Sequence, residues 1–492
     1  MARRADEDDE DVLRVRGNED EVALLGGHDL DNPGSKPSSR QRTLTLLLLV
    51  GINLLNYLDR YTVSGVLPEL KDKTKSGFSS DLSDSQSGLL MTVFVVSYML
   101  VSPIFGYLGD RWNRKNLIVI GMVLWALFTV GGSFAQNYGQ LLAARALVGV
   151  GEAAYAVISP TIIADLYEPE VRTHMLSIFY IAIPVGAALG FIVGGQVAAA
   201  FGSWRWALRV SPPLGLLLAA VLFFTREPPR GASEGHSHGH SMNEASGLKA
   251  FWMDFKAVMA VPTFFWSTLG FTAVTFTTGA LAQWAPTYVY RQSQLESNHL
   301  SSSSASLYFG GVTVITGVCG TLLGSIISKR LESKTPAHDS YVCGVGMLVA
   351  VVFIGIAIPL ASYQMWIFWV LTLFGELALC LNWGPTAAIT LYVIEPKRRN
   401  TAEAVSILMT HLLGDAASPY LVGVISDVLH QKYDLVDADS LMLALLIPGF
   451  VSFLGGLAYL RGAHTVAADR AAASVREPET DFSIINSDSA VI

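Results

Sequence analysis

The sequence predicts an all-α membrane protein in which twelve transmembrane helices form two six-helix halves. Three observations carry this expectation. Of 492 residues, 51% are hydrophobic and only 15% charged, so charge is confined to tails and loops, unlike the surface of two soluble domains. Apolar stretches recur twelve times, each close to the ~20 residues that cross a ~30 Å hydrocarbon core. A short pattern, Glu-Pro-x-x-Arg, occurs at Glu168 to Arg172 and again at Glu395 to Arg399, each time entering the fifth span of its half. Its equivalent placement marks a parallel internal repeat.

The chain divides accordingly. Residues 1–41 are rich in Gly, Pro, Ser and charge and are expected to be a disordered cytosolic tail. Residues 42–225 form the N-terminal six-helix bundle, 226–261 a cytosolic linker, 262–461 the C-terminal bundle and 462–492 a cytosolic tail. The short loops carry Arg111, Arg114 and Lys115, then Lys329, Arg330 and Lys334, then Lys397, Arg398 and Arg399 on one side. That side is read as cytosolic, and both termini with it. The opposite side has one cluster, Lys71, Lys73 and Lys75.

The net charge of −8 is no nucleic-acid footprint, since much of it lies in the run Asp6-Glu-Asp-Asp-Glu-Asp11. This acidic start lacks an early apolar core, so no cleavable signal peptide is expected and the first span serves as targeting signal. Asp20-Glu-Val-Ala-Leu24-Leu25 has the form of an acidic dileucine sorting signal. Cys319, Cys343 and Cys380 lie in apolar segments at unrelated spacings, which suits packing rather than a metal cluster or disulfide framework. His236, His238 and His240 fit a flexible linker better than a metal site, having no Cys or acidic partner at fixed spacing. No cofactor is expected. No Walker loop, metal-ligand set or nucleophile motif points to an enzyme.

Polar residues inside the spans carry the function. The first span holds Asn53, Asn56, Asp59 and Arg60. An ionisable group there costs at least ~2.5 kcal/mol to insert and normally faces a cavity or a partner. The favoured reading is a polar lining for a central cavity, and the other is an interfacial pair snorkelling to water. In the fourth span Arg145 and Glu152 share a face two turns apart, close to Tyr155. They suit either a proton carrier whose arginine partner changes or a permanent ion pair. Thr272, Thr275 and Thr278 recur every three residues, and each could bond its own helix. Glu376 stands in the tenth span. His411 and Asp415 form an i, i+4 pair in the eleventh, suited to a headgroup, to titration or to structural pairing.

The most specific signal is Gly106-Tyr-Leu-Gly-Asp110-Arg111-Trp-Asn113-Arg114-Lys115. It resembles the cytoplasmic loop motif of the major facilitator superfamily, a gating latch in which Asp110, Arg111 and Arg114 take part. Asn113 replaces a glycine and is expected to keep the turn because it tolerates positive φ. Gly186-Ala-Ala-Leu-Gly190-Phe-Ile-Val-Gly194-Gly195 resembles the superfamily's antiporter motif with Phe191 in place of proline; its glycines imply close helix packing. Beyond these, Ile52 to Arg60, Phe105 to Arg111, Val148 to Tyr155, Met175 to Tyr180, Trp206 to Arg209, Arg226 to Gly231 and His411 to Tyr420 together resemble the Spinster family of that superfamily.

The resemblance implies proton-coupled export of lysophospholipids such as lysophosphatidylcholine and lysophosphatidylethanolamine from the lysosome, by a monomer whose partners are its substrate, protons and membrane lipid. The family's other branch implies sphingosine-1-phosphate export at the plasma membrane. The resemblance to the lysophospholipid-exporting branch assigns Asp59, Arg60, Arg145 and Glu152 to proton coupling. Arg60, Asn56, Glu152, Tyr155, Glu376 and His411 fall around the substrate. This chain has Ala154 and Ala156 flanking Tyr155 where the family often has serines, which removes two hydroxyls from that region.

Overall fold

The computed structural model describes residues 38–228, 248–295, 299–395 and 398–475, and every regular element among them is a helix. The first half comprises α1 (Ser39–Gly65), α2 (Asp84–Arg111), α3 (Arg114–Gly132), α4 (Tyr138–Leu166), α5 (Pro169–Phe201) and α6 (Trp204–Phe224). The second comprises α7 (Pro262–Leu295), α8 (Ser302–Leu331) and α9 (His338–Leu360), then α10 (Met365–Val393), α11 (Thr401–Tyr433) and α12 (Asp437–Ala463). Ten of these are long and apolar enough to cross a membrane, and α7 is an eleventh when joined to the short helix before it. The other, α1, is 27 residues long, about 40 Å at 1.5 Å per residue. Its polar residues, not its length, keep its hydropathy low.

Helix starts are written locally. Ser38 with Gln41 and Ser83 with Gln86 form reciprocal capping boxes on α1 and α2. Asn137 caps α4 by accepting from the Gln140 N–H.

Glycine rows decide how closely the helices approach. A Cβ on Gly186, Gly190 or Gly194 of α5 would stand 2.6, 2.4 or 2.7 Å from the carbonyl oxygens of Leu54, Leu58 or Thr62 on α1. The antiporter-like sequence therefore serves packing, as its glycines imply. Phe191, the residue in place of proline, lies fully buried with ring centroids 5.3 Å from Tyr61 and 5.1 Å from Phe309.

Two antiparallel seams join the halves at the end of the bundle remote from the linker, here called the far end. Along α2 and α11, the Asp84 backbone packs on Gly423, Gly88 packs on Pro419, Thr92 bonds to Ala416 and Tyr98 meets His411. Along α5 and α8, Gly195 packs on Ser303 and Ser306, Ala188 on Gly310, and Pro184 on Gly317. Past Tyr98 and Pro184, toward the linker end, Ile104 and Tyr107, Ile407 and Leu408, Ile178 and Tyr180, and Ile326 and Ile327 are exposed. The two halves are thus zipped along both seams at the far end.

Two helices lie where the sequence reading has polar connections. The linker contains a helix at Leu248–Met259, set at 89° to α7 and packed through Val258, Phe255 and Met259. The C-terminal tail begins with a helix at Val466–Val475, whose Asp469 accepts from the Thr263 N–H and so caps α7. The acidic N-terminal run, the dileucine sequence, His236, His238 and His240, and Pro396 with Lys397 lie outside the described residues.

Candidate transport site

Close helix approach assembles the site inside the first half. A Cβ on Gly149 would stand 2.3 Å from the Phe94 carbonyl oxygen of α2, and one on Gly151 2.5 Å from the Trp125 nitrogen of α3. These contacts draw α4 into the bundle and bring its Arg145 and Glu152 to Asp59 and Arg60 of α1.

The pairing is crossed. Arg60 Nη2 donates to Glu152 Oε1 at 3.0 Å, and Arg145 Nη1 donates to Asp59 Oδ2 at 3.4 Å. Asp59 also accepts from Ser211 Oγ at 3.0 Å and from Trp125 Nε1 and Thr129 Oγ1 at 3.3 Å each. Aromatic rings cover the arginines: Arg60 lies 4.9 Å from the centroids of Tyr57 and Phe94, and Arg145 4.7 Å from Phe94. Arg60 Nε, Arg145 Nε and Nη2, and Glu152 Oε2 are buried with no hydrogen-bond partner. Such orphaned charge is costly in an apolar interior and leaves bonding capacity for an incoming group.

All four residues are at most 3% exposed. Neither snorkelling to water nor the lining of an open cavity describes them: rings of Tyr57, Phe94 and Tyr98 lie over Arg60, Phe94 over Arg145, and Trp125, Thr129 and Ser211 enclose Asp59. Asn56 is turned to its own helix, donating to the Ile52 carbonyl at 2.8 Å and to Met122 Sδ at 3.5 Å. Tyr155 donates to Asn53 Oδ1 at 3.5 Å, and Asn53 donates to the Phe179 carbonyl at 2.8 Å. The tyrosine and both asparagines therefore sit within the bundle.

In the second half, His411 Nδ1 lies 2.9 Å from Asp415 Oδ1 within a wide turn of α11. There the Ala416 N–H reaches back five residues to the His411 carbonyl at 2.9 Å, and Gly414 leaves helical geometry at φ −94°, ψ −105°. Such π-type turns concentrate at functional positions. His411 faces the first half: its ring meets Tyr98 edge-on at 6.0 Å, and Tyr98 lies 5.8 Å from the Arg60 guanidinium. Glu376 belongs to a different contact, accepting from Thr316 Oγ1 of α8 at 3.2 Å. The threonine stripe resolves as self-bonding: Thr272 donates to Thr268, Thr275 to Thr272 and Thr278 to Thr275, and only Thr275 also reaches α11, at the Thr410 carbonyl, 2.9 Å away.

Of the loop-motif residues, Arg114 is buried at the linker end. It donates to Asp165 Oδ2 at 2.6 Å, Glu227 Oε1 at 3.0 Å and the Pro228 carbonyl at 3.1 Å. Arg111 is exposed and lies over Tyr107 on its own helix, 3.6 Å from the ring centroid. The Asp110 side chain lies outside the described residues. Asn113 does not use positive φ: at φ −63°, ψ 114° it is the N-cap of α3 and accepts from the Asn116 N–H. A polar side chain that caps a helix thus does the work expected of a turn former.

Sequence reading did not find the far-end latch. Asp84 accepts from Arg291 at 2.6 and 2.9 Å, from Ser426 Oγ at 2.6 Å and from Lys71. Asp427 of α11 accepts from the Asp84 and Ser85 N–H groups at 2.8 Å each, capping α2 from the opposite half. Burial pushes the Lys71 ammonium below its ordinary value, and Asp84 draws it back up. Lys71 and Asp84 lie only 13 residues apart in the sequence, but the latch is completed by Arg291 and Ser426, which stand 207 and 342 residues from Asp84.

Twelve helices in two halves, with a crossed ion-pair network in one and a His–Asp pair facing it from the other, form a two-half membrane bundle whose family matches identify it as a transporter and not an enzyme. The Major Facilitator Superfamily model matches residues 49–419. Protein spinster homolog 1 of Bos taurus is 45% identical over 446 residues, which cover 88% of this chain and 83% of that protein. Protein spinster homolog 3 of Danio rerio is 44% identical over 471 residues and 92% of each chain. The chain belongs to the Spinster family of the major facilitator superfamily. Its fold matches the crystal structure of a bacterial homolog to the human lysosomal transporter Spinster, inward-facing and unoccupied, with TM-score 0.74 and 23% identity over 88% of this chain and 99% of that one.

Proposed function

We propose that this protein is a proton-coupled secondary transporter that moves lysophospholipids from the lysosome lumen to the cytosol by alternating access. The observation that carries the reading is the pair of crossed, incompletely bonded ion pairs beneath Tyr98, at the depth where both seams end. The far end would then be luminal and the linker end, with both termini, cytosolic. The name of the human relative of the bacterial structure, a lysosomal transporter, supports the location.

In this scheme the substrate headgroup enters beside Tyr98 and engages the free guanidinium nitrogens of Arg60 and Arg145. Its phosphate is held there, with His411 on the opposite wall and the single acyl chain along apolar helix surface. Protonation of Glu152 or Asp59 removes the charge that holds its arginine, freeing that arginine for the phosphate. Release to the cytosol and loss of the proton restore the crossed pairs. A two-unit pH difference supplies about 2.7 kcal/mol per proton, enough for roughly hundredfold accumulation.

The test uses the purified protein in liposomes with labelled lysophosphatidylcholine and sphingosine-1-phosphate, with and without an imposed pH gradient. Gradient-dependent movement of lysophosphatidylcholine, lost in Glu152→Gln, is expected. Movement of sphingosine-1-phosphate alone, indifferent to the gradient, would overturn the reading.

A further inference from the structure

The wide turn of α11 makes a bond to the other half. The Thr92 hydroxyl of α2 donates to the carbonyl of Ala416. Ala416 closes the turn through its own N–H to the His411 carbonyl, so one residue donates the turn's closing bond and accepts the tie from α2. Two turns along α2, Tyr98 touches the His411 ring. On the inner side, Thr275 Oγ1 holds the Thr410 carbonyl, and a Cβ on Gly414 would stand 2.1 Å from that oxygen. The turn is therefore gripped from both halves, by Thr92 on one side and Thr275 on the other. Of these two grips only that of Thr92 crosses between the halves, so it breaks when they part at the far end.

We infer that Thr92 is a positioning residue: its bond to the Ala416 carbonyl links closure of the far end to the wide turn, and so presents the His411–Asp415 pair to Arg60 and Glu152 only in the far-end-closed state. A helix that carries one extra residue in a turn regains regular geometry when the segment beyond that turn rotates by about 100°. Separation of α2 from α11 removes the hydroxyl that stabilises the irregular form. The charged and titratable groups facing His411 are Asp415 on its own helix and, across the gap, Tyr98, Arg60 and Glu152. Their register with His411 is set by Thr92.

The inference deepens the proposed transport site and rests on that reading, so two readouts separate the failures. The first needs no substrate: hydrogen–deuterium exchange of the 411–416 amides in lipid nanodiscs. Thr92→Val, which keeps the shape and removes the donor, is expected to speed exchange there about tenfold, the effect of one lost hydrogen bond, while Thr92→Ser stays within about twofold of the parent. Unchanged exchange in Thr92→Val overturns the inference whatever the substrate proves to be. The second is the pH profile of lysophosphatidylcholine transport. Thr92→Val should displace it, Thr92→Ser should restore it, and in a His411→Gln background Thr92→Val should add nothing further. Additive effects of the two substitutions would overturn the inference even if the parent transports as proposed.

Discussion

Arg145 pairs with Asp59 of α1 and not with Glu152, although Glu152 lies two turns away on its own helix. Glu152 takes Arg60 instead. Each ion pair therefore ties α1 to α4, and neither can be broken without leaving one buried charge unpaired.

Losing either charge of a pair should be costly, because the other is left buried without its partner. Arg145→Ala strands the Asp59 carboxylate in the interior, and a loss of about 3 kcal/mol in stability is expected. Asp59→Asn strands the Arg145 guanidinium instead, so although the amide can still bond Ser211 and Thr129, a loss of the same order is expected. Thermal melts of the detergent-solubilised variants check both.

Breaking the far-end latch should open that end. Arg291→Ala leaves Asp84 with Lys71 and Ser426 but severs its charged link to the second half. A cysteine placed at Ser87, fully buried here, should become reactive to a membrane-impermeant maleimide from the far side, with a labelling rate at least several-fold above that in the intact latch.

The glycine rows make opposite predictions at two sites. Gly190→Ala drives a Cβ to 2.4 Å from the Leu58 carbonyl oxygen and should cost about 2 kcal/mol or more through overpacking. Gly311→Ala meets nothing within 4 Å on α8 and should be neutral or stabilising by up to about 1 kcal/mol, because glycine is the poorer helix former. Melting temperatures of the pair decide it.

The two loop arginines should part in the same way. Arg114→Ala removes the partner of Asp165 and Glu227 and should destabilise by about 3 kcal/mol. Arg111→Ala, on an exposed side chain stacked on its own helix, should stay within about 0.5 kcal/mol. Chemical denaturation in one detergent compares them directly.

The features legible in the chain alone were those that depend on local sequence. Twelve apolar stretches, the repeated Glu-Pro-x-x-Arg and the loop motif determined a two-half helical transporter, because span length and hydropathy are properties of contiguous residues. The in-span charges could be named for the same reason, since insertion cost singles them out. The linker helix escaped notice although Phe251, Trp252, Phe255 and Val258 recur at helical spacing, because a helix of twelve residues is too short to span and is stabilised mainly by the surface it packs on.

Tertiary structure alone decided the pairing. Periodicity placed Arg145 and Glu152 on one face, but which carboxylate each arginine meets depends on how far Gly149 and Gly151 let α4 sink between α2 and α3. It also turned Asn56 away from the ion pairs, made Asn113 a helix cap, and joined Asp84 to Arg291 across 207 residues. The bond from Thr92 to Ala416 belongs with these. Contacts between distant segments are set by helix approach and rotation, and a single sequence holds no local signal for either.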